Sequence, residues 1–320
     1  MKKFILFTLI TLFLVCAIYA VEPENYIVIP RFFNLHVNDV EKIFTGNDLK
    51  VQFEYDYNNN PEGIVYSVVF YGRLDDENFH ITPNSTVTLK VSLGKYYPKN
   101  ANADSDKVIY LTFDDGPTKN NTYRVLDTLA KYDIKATFFF VGNMTQYYSE
   151  QVKSAFDAGH AIGCHSTTHK MREIYRSAEA FINDIRQWED IMYDIIGELD
   201  YKIYRFPGGS PEARGNRSTY EKILEELHNA NYYAFDWTLS NNDVWSRSRS
   251  GNMGASAYVR NSFLTQLDKM EASKSTSPKI VLLHETYDCT VDMLEWMIDI
   301  LIERGYRFDT LDNLDGNWIS

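Results

Sequence analysis

Cysteine is scarce in this 320-residue chain. Only Cys16, Cys164 and Cys289 occur. Cys16 lies in an N-terminal apolar run, so Cys164–Cys289 is the one pair open to an oxidising compartment. Two small buried thiols are the reading adopted. Positive charge is scarce as well: 32 Lys and Arg stand against 44 Asp and Glu, a formal net charge of −12. No basic stripe is present to neutralise phosphates, which excludes nucleic acid as a partner. Low-complexity tracts and long-period repeats are absent too. Only one apolar run is long, Phe4–Ile18, and it falls short of the ~18–20 residues of a membrane span.

That run reads as part of a leader. Lys2 and Lys3 precede it and the small residue Ala20 closes it, the layout of a secretory signal peptide over 1–20. Val15 before Cys16 is a poor context for lipidation. A secreted, extracellular protein with no stable membrane anchor is expected. What remains is ordinary in composition, 44% hydrophobic and 24% charged, able to bury a core in one large domain or two. Aromatic content is high at 15%, with 23 Tyr and 19 Phe.

The chain changes character near residue 100. Residues 26–95 hold a candidate helix, with Val37, Val40, Ile43 and Phe44 at helical spacing and Asn38 or Asp39 placed to cap it. Three strand-like stretches follow, "LKVQFEYDY", "GIVYSVVFYG" and "STVTLKVSLG". Residues 96–107 are polar and read as a linker. Over 108–320, strands alternate with helices. The strands read are 108–113, 136–141, 161–165, 203–206, 232–237, 280–284 and 307–311. Seven strands with helices between them imply a parallel sheet, open or closed, with the active site at the carboxyl strand ends.

Chemistry-bearing residues collect at those ends. "VIYLTFDDGP" finishes an apolar strand with Asp114 and Asp115, two like charges that need a positive partner. "GCHSTTHK" ends the third strand. A helical turn over Ser166–Lys170 would project His165 and His169 to one side. Two such histidines and a carboxylate form a ligand set typical of catalytic zinc. One aspartate would ligate; the other would take a proton from water. "YRFPGGS" brings Arg205, suited to pair a carboxylate, and glycines whose N–H groups suit an oxyanion. "IVLLHE" brings His284, a candidate acid.

From Val108 the chain resembles the NodB-homology polysaccharide deacetylases, carbohydrate esterase family four. "TFDDGP", "HSTTH", "RFPGGS", "DWTLSNNDVW" and "LLHE" stand in the family's order over about 200 residues. The resemblance implies a deformed seven-stranded β/α barrel and a divalent metal, Zn2+ or another such as Co2+. It implies removal of acetyl groups from acetylated sugars. By the same resemblance Asp114 is the catalytic base and Asp115, His165 and His169 are the metal ligands. Arg205 is the base's partner, Gly208 an oxyanion donor, His284 the general acid and Asp243 the carboxylate that tunes it. Leu282 walls the acetyl methyl. Ser240 and Val244 depart from the family pattern, which has Asp and Trp there, and Glu285 stands where Asp is usual. His160 reads as structural. Residues 26–95 resemble in layout a PASTA domain, a wall-associated α+β module. The expected substrate is therefore peptidoglycan N-acetylglucosamine, with chitooligosaccharides or O-acetylated xylan as alternatives and a non-catalytic wall-binding protein as a remote one.

Overall fold

The computed structural model describes residues 26–30, 32, 35–44, 49–215, 217–273 and 275–319. The leader read at 1–20 lies outside the described residues. Among those described, no helix is long and apolar enough to cross a membrane. The chain divides into two compact units, Met1–Tyr97 and Pro98–Ser320.

In the smaller unit the elements are β1 (Ile27–Pro30), α1 (Val37–Phe44), β2 (Lys50–Asp56), β3 (Val65–Val69), β4 (Gly72–Leu74), β5 (Asn78–Ile81) and β6 (Thr86–Ser92). They form two three-stranded sheets, ordered β1-β5-β4 and β2-β6-β3. Alternation along β6 buries Val87, Leu89 and Val91, and these pack with Val40 and Phe44 of α1. The helix begins at Val37, so Asn38 and Asp39 lie inside its first turn and neither caps it. The His36 ring takes that role, its Nδ1 accepting the Asn38 N–H at 3.3 Å. Strands β4 and β5 have no counterpart in the sequence reading.

The larger unit is a curled sheet with helices outside. Its strands are β7 (Val108–Asp114), β8 (Thr137–Phe140), β9 (Ala161–Cys164), β10 (Ile203–Tyr204), β11 (Tyr233–Ala234), β12 (Leu239–Ser240), β13 (Lys279–His284) and β14 (Arg307–Phe308). The order is β11-β10-β9-β8-β7-β13-β12, with β14 also on β7. Every pairing is parallel. Seven strands were expected; the eighth is β12, two residues long. The longer helices are α2 (Asn121–Tyr132), α3 (Ser149–Asp157), α4 (Ala178–Ile196), α5 (Arg217–Asn229), α6 (Ala255–Ser273) and α7 (Asp288–Glu303). Along α4, Phe181, Ile182, Ile185, Trp188 and Met192 turn one face inward. The Ser177 side chain caps it by accepting the Ala180 N–H at 3.1 Å, an interaction worth about 1 kcal/mol.

Because β7 is buried on both faces, it reads as an unbroken apolar run rather than an alternating one. Its inward residues Tyr110, Thr112 and Asp114 rise from an apolar plug toward the polar rim. Tyr110, Phe139, Ala161, Ile203, Phe235, Ile280 and Leu311 make that plug. Gly163 belongs to its packing: a Cβ there would meet the Phe139 ring at 2.5 Å. Residues 98–107, read as part of a linker, are tied to the larger unit. Asn102 Nδ2 donates to the carbonyls of Ile302 and Tyr306, and Ser105 Oγ to that of Gly305.

Candidate active site

Strand register brings the motifs level. His284 pairs with Asp114 across β13 and β7, and Phe140 pairs with Cys164 just before His165. Arg205 follows β10 directly and is wholly buried. Its Nη1 donates to Asp114 Oδ1 at 2.9 Å and to Thr112 Oγ1. Nε donates to the Phe235 carbonyl and Nη2 to the Asp236 carbonyl. The guanidinium lies 4.3 Å from the centre of the Phe139 ring. It therefore pins one oxygen of Asp114 and leaves Oδ2 facing His165 Nε2 at 3.7 Å.

Three further ligand-type atoms converge in front. Asp115 Oδ1 lies 3.3 Å from His165 Nε2 and 3.1 Å from His169 Nε2. His165 Nδ1 is 3.0 Å from the Arg205 carbonyl. A carbonyl only accepts, so Nδ1 carries the hydrogen and Nε2 presents a lone pair. Asp115 Oδ1 is buried without a hydrogen-bond partner. Lone pairs this close repel unless a cation lies among them, so Asp115, His165 and His169 fit a metal ion. Burial raises the Asp115 carboxyl, but the close approach of the His165 and His169 rings, with the charge of His284, outweighs it and holds it far below the usual range. The adjoining Asp115 carboxylate raises His169 against the opposing effect of burial.

The histidines do not sit on a helical turn. Residues 165–170 form a loop, with Ser166 at φ 63° and His169 at φ 56°. Such conformations cost roughly 1–3 kcal/mol each and persist where surroundings fix them. Asp184 of α4 does the fixing. It is buried and accepts the Thr167 N–H at 2.7 Å and the Thr168 hydroxyl at 3.1 Å, while Thr167 Oγ1 donates to its carbonyl. Ser166 Oγ accepts the His169 N–H at 2.7 Å.

On the other side, His284 Nδ1 donates to Asp243 Oδ1 at 2.8 Å, and Nε2 points toward Asp115 Oδ2 at 3.9 Å. Asp243 is fully buried. It also accepts from the N–H groups of His284 and Val244 and from Thr290 Oγ1. Burial disfavours the imidazolium, yet the bond and charge of Asp243, with the charges of Asp114 and Asp115, raise His284 to about 9.

Seven of the nine residues singled out in the sequence thus form one chain of contacts: Asp243, His284, Asp115, His165, His169, Asp114 and Arg205. Leu282 lies two residues before His284, on the same face of β13 by strand alternation, and is buried. Gly208 is exposed on the loop after β10 at φ 77°. Asp236 went unread. Its carboxylate accepts the Ser210 N–H at 2.9 Å and the Ser210 hydroxyl, anchoring the loop that carries Gly208 and Gly209. It directly precedes Trp237 in the fourth motif, the one signal that could have drawn notice. His160 is buried just before β9, its Nδ1 accepting the Ala136 N–H at 3.1 Å. Cys164 and Cys289 are both free.

The chain matches the polysaccharide deacetylase family over residues 101–234. YheN of Bacillus subtilis (strain 168) is 35% identical over 210 residues, covering 65% of this chain and 68% of that protein. The peptidoglycan-N-acetylglucosamine deacetylase of Bacillus cereus is 31% identical over 220 residues, 69% of this chain and 75% of that one. Among solved structures, the catalytic domain of peptidoglycan N-acetylglucosamine deacetylase from Eubacterium rectale aligns with a TM-score of 0.58 at 28% identity, covering 68% of this chain and 93% of that domain. The polysaccharide deacetylase Bc1974 from Bacillus cereus aligns at 0.56 and 27%, covering 66% and 96%. With its curled parallel sheet and the five motifs at the strand ends, this chain belongs to the polysaccharide deacetylase family, hydrolases of the C–N bond in N-acetyl groups.

Proposed function

We propose that the protein is a secreted, metal-dependent deacetylase of cell-wall amino sugars, acting on the N-acetylglucosamine of peptidoglycan. The observation that carries this reading is the convergence of Asp115, His165 and His169 between a buried, Arg-paired aspartate and an Asp-paired histidine. The names of the Bacillus cereus and Eubacterium rectale relatives support the substrate.

Asp115, His165 and His169 would hold a divalent ion, Zn2+ or Co2+. When bound, that ion supplies Lewis acidity that activates water and polarises a carbonyl. Asp114 takes the water's proton through Oδ2, because Oδ1 is held by Arg205. His284 donates its Nε2 proton to the departing nitrogen. Asp243 accepts the Nδ1 hydrogen and so steadies the imidazolium, the form in which Nε2 also carries a proton to give. For an amide this acid is essential, because an amine anion is a very poor leaving group. General acid–base help of this kind is worth typically about 10²–10⁴-fold. The Gly208 N–H completes the site as an oxyanion donor, and Leu282 walls the acetyl methyl.

The smaller unit, in this reading, is a PASTA-like module that holds the enzyme at the wall. Tethering raises effective concentration at a polymer without altering chemistry. The experiment is a substrate panel run on the full chain and on residues 98–320. The truncated protein should deacetylate soluble N-acetylglucosamine oligomers as the full chain does, and insoluble peptidoglycan more slowly. Activity confined to O-acetylated xylan would overturn the substrate assignment. Equal loss on both N-acetylated substrates would overturn the tethering role.

A further inference from the structure

Glu285 directly follows His284, yet the chemistry above does not use it. The residue is wholly buried. With His284 in register beside Asp114, its side chain enters behind the turn that follows the two aspartates. There the carboxyl is pressed onto Gly116. A Cβ on that glycine would lie 2.1 Å from Glu285 Oε1 and 2.7 Å from its carboxyl carbon. Space, not a left-handed backbone, demands the glycine.

The same carboxyl is tied to the start of α2. Oε1 accepts the Thr122 hydroxyl at 2.6 Å, and Thr122 Oγ1 in turn accepts the Thr118 N–H at 2.8 Å. The Glu285 carbonyl accepts Asn121 Nδ2 at 3.0 Å. Opposite, the Gly116 carbonyl accepts the Val141 N–H at 2.8 Å. The Gly116 turn is thus gripped on both sides. Asp115, one residue earlier, sits at φ 69°, a conformation that a side chain adopts only when its surroundings impose it.

We infer that Glu285 is a positioning residue for Asp115. Its carboxyl, seated on Gly116 and bonded to Thr122, holds the Asp115 carboxylate at the spacing from His165 and His169 that a cation needs. The inference rests on reading those three as metal ligands. Length is the device: aspartate at 285 would fall one methylene short of both Gly116 and Thr122.

Co2+ is titrated into the metal-free full-length protein, with affinity and the visible absorption of the bound ion as readouts. Outer-shell partners of a metal ligand typically carry about 10–100-fold in affinity. Glu285→Asp should weaken Co2+ binding by about 10-fold and alter the absorption band. Glu285→Gln keeps both length and acceptor and should stay close to wild type. Thr122→Val, which removes the donor and leaves Glu285 intact, should follow Glu285→Asp. At saturating Co2+ the kcat of all three should recover, since affinity and not chemistry is affected. Thermal unfolding of each metal-free variant separates general loss of fold from loss of the site. The inference is overturned if Glu285→Asp binds Co2+ as wild type does with the same absorption, or if the Asp and Gln variants weaken alike in step with their Tm. A wild type that takes up no Co2+ overturns the ligand reading and this inference with it.

Discussion

Replacing Arg205 by methionine tests the structure at its most loaded point. The guanidinium is wholly buried and satisfies Asp114, Thr112 and the carbonyls of Phe235 and Asp236. Methionine fills much of the volume and offers no donor. Leaving a buried charge without its partner costs about 3–5 kcal/mol. Two carbonyls short of a donor add about 1 kcal/mol each. Against a stability of about 5–15 kcal/mol for a domain, Arg205→Met should remove at least ~5 kcal/mol. In an Asp114→Asn background no charge is stranded, so the same change should cost only ~2 kcal/mol. The expected coupling between the two sites is then at least ~3 kcal/mol. Urea unfolding followed by tryptophan fluorescence measures it. All five tryptophans lie at or beyond residue 188, so the signal reports the larger unit alone. A cost under about 1 kcal/mol for Arg205→Met, or equal costs in both backgrounds, would refute the buried pairing.

Three other perturbations separate roles. Asp114→Asn should keep metal stoichiometry by elemental analysis while kcat falls about 10²–10⁴-fold; Asp115→Asn should lose both, and near-normal turnover in Asp114→Asn would reverse the assignment. Asp184→Ala strands the buried Thr167 N–H, costing about 1–3 kcal/mol, and should loosen the His165–His169 loop enough to weaken Co2+ binding about 10-fold or more; unchanged affinity would show that the loop holds itself. His160 gives a pH test away from the metal site. Burial first, then the charge of Lys135, lowers its pKa to about 4, against about 6.5 when unfolded. The unfolded chain therefore binds the extra proton between those values. The stability this group contributes is complete above about pH 6.5 and is lost as pH falls toward 4, roughly 3 kcal/mol in all. His160→Asn should lose that much less over the same interval in urea titrations, and parallel profiles would contradict the assignment.

Much of the larger unit was legible because its strands are buried on both faces and so appear as apolar runs. The rim residues were legible because five short motifs fall at the ends of those runs. What stayed hidden was held by distance in sequence or by unusual backbone. The helical turn expected for "HSTTH" fails because Ser166 and His169 adopt positive φ, stabilised by Asp184 from a helix that begins thirteen residues after His165. Nothing local in the sequence of α4 marks Asp184 as different from any other acidic residue there. The contacts of Asp236 and Glu285 were hidden for the same reason: each reaches a segment distant in sequence. In the smaller unit β4 and β5 are only three and four residues long, too short for alternation to register.

The central claim is amide hydrolysis at the Asp115–His165–His169 cluster, with Asp114 and His284 as base and acid. Its most direct measurement is the paired release of acetate and free amine from N-acetylglucosamine oligomers by metal-reconstituted protein, beside the His165→Ala/His169→Ala variant. One amine per acetate, abolished in the double variant while the fold is retained, is the predicted result. Acetate without amine, or undiminished release by a double variant that holds no metal, would contradict it.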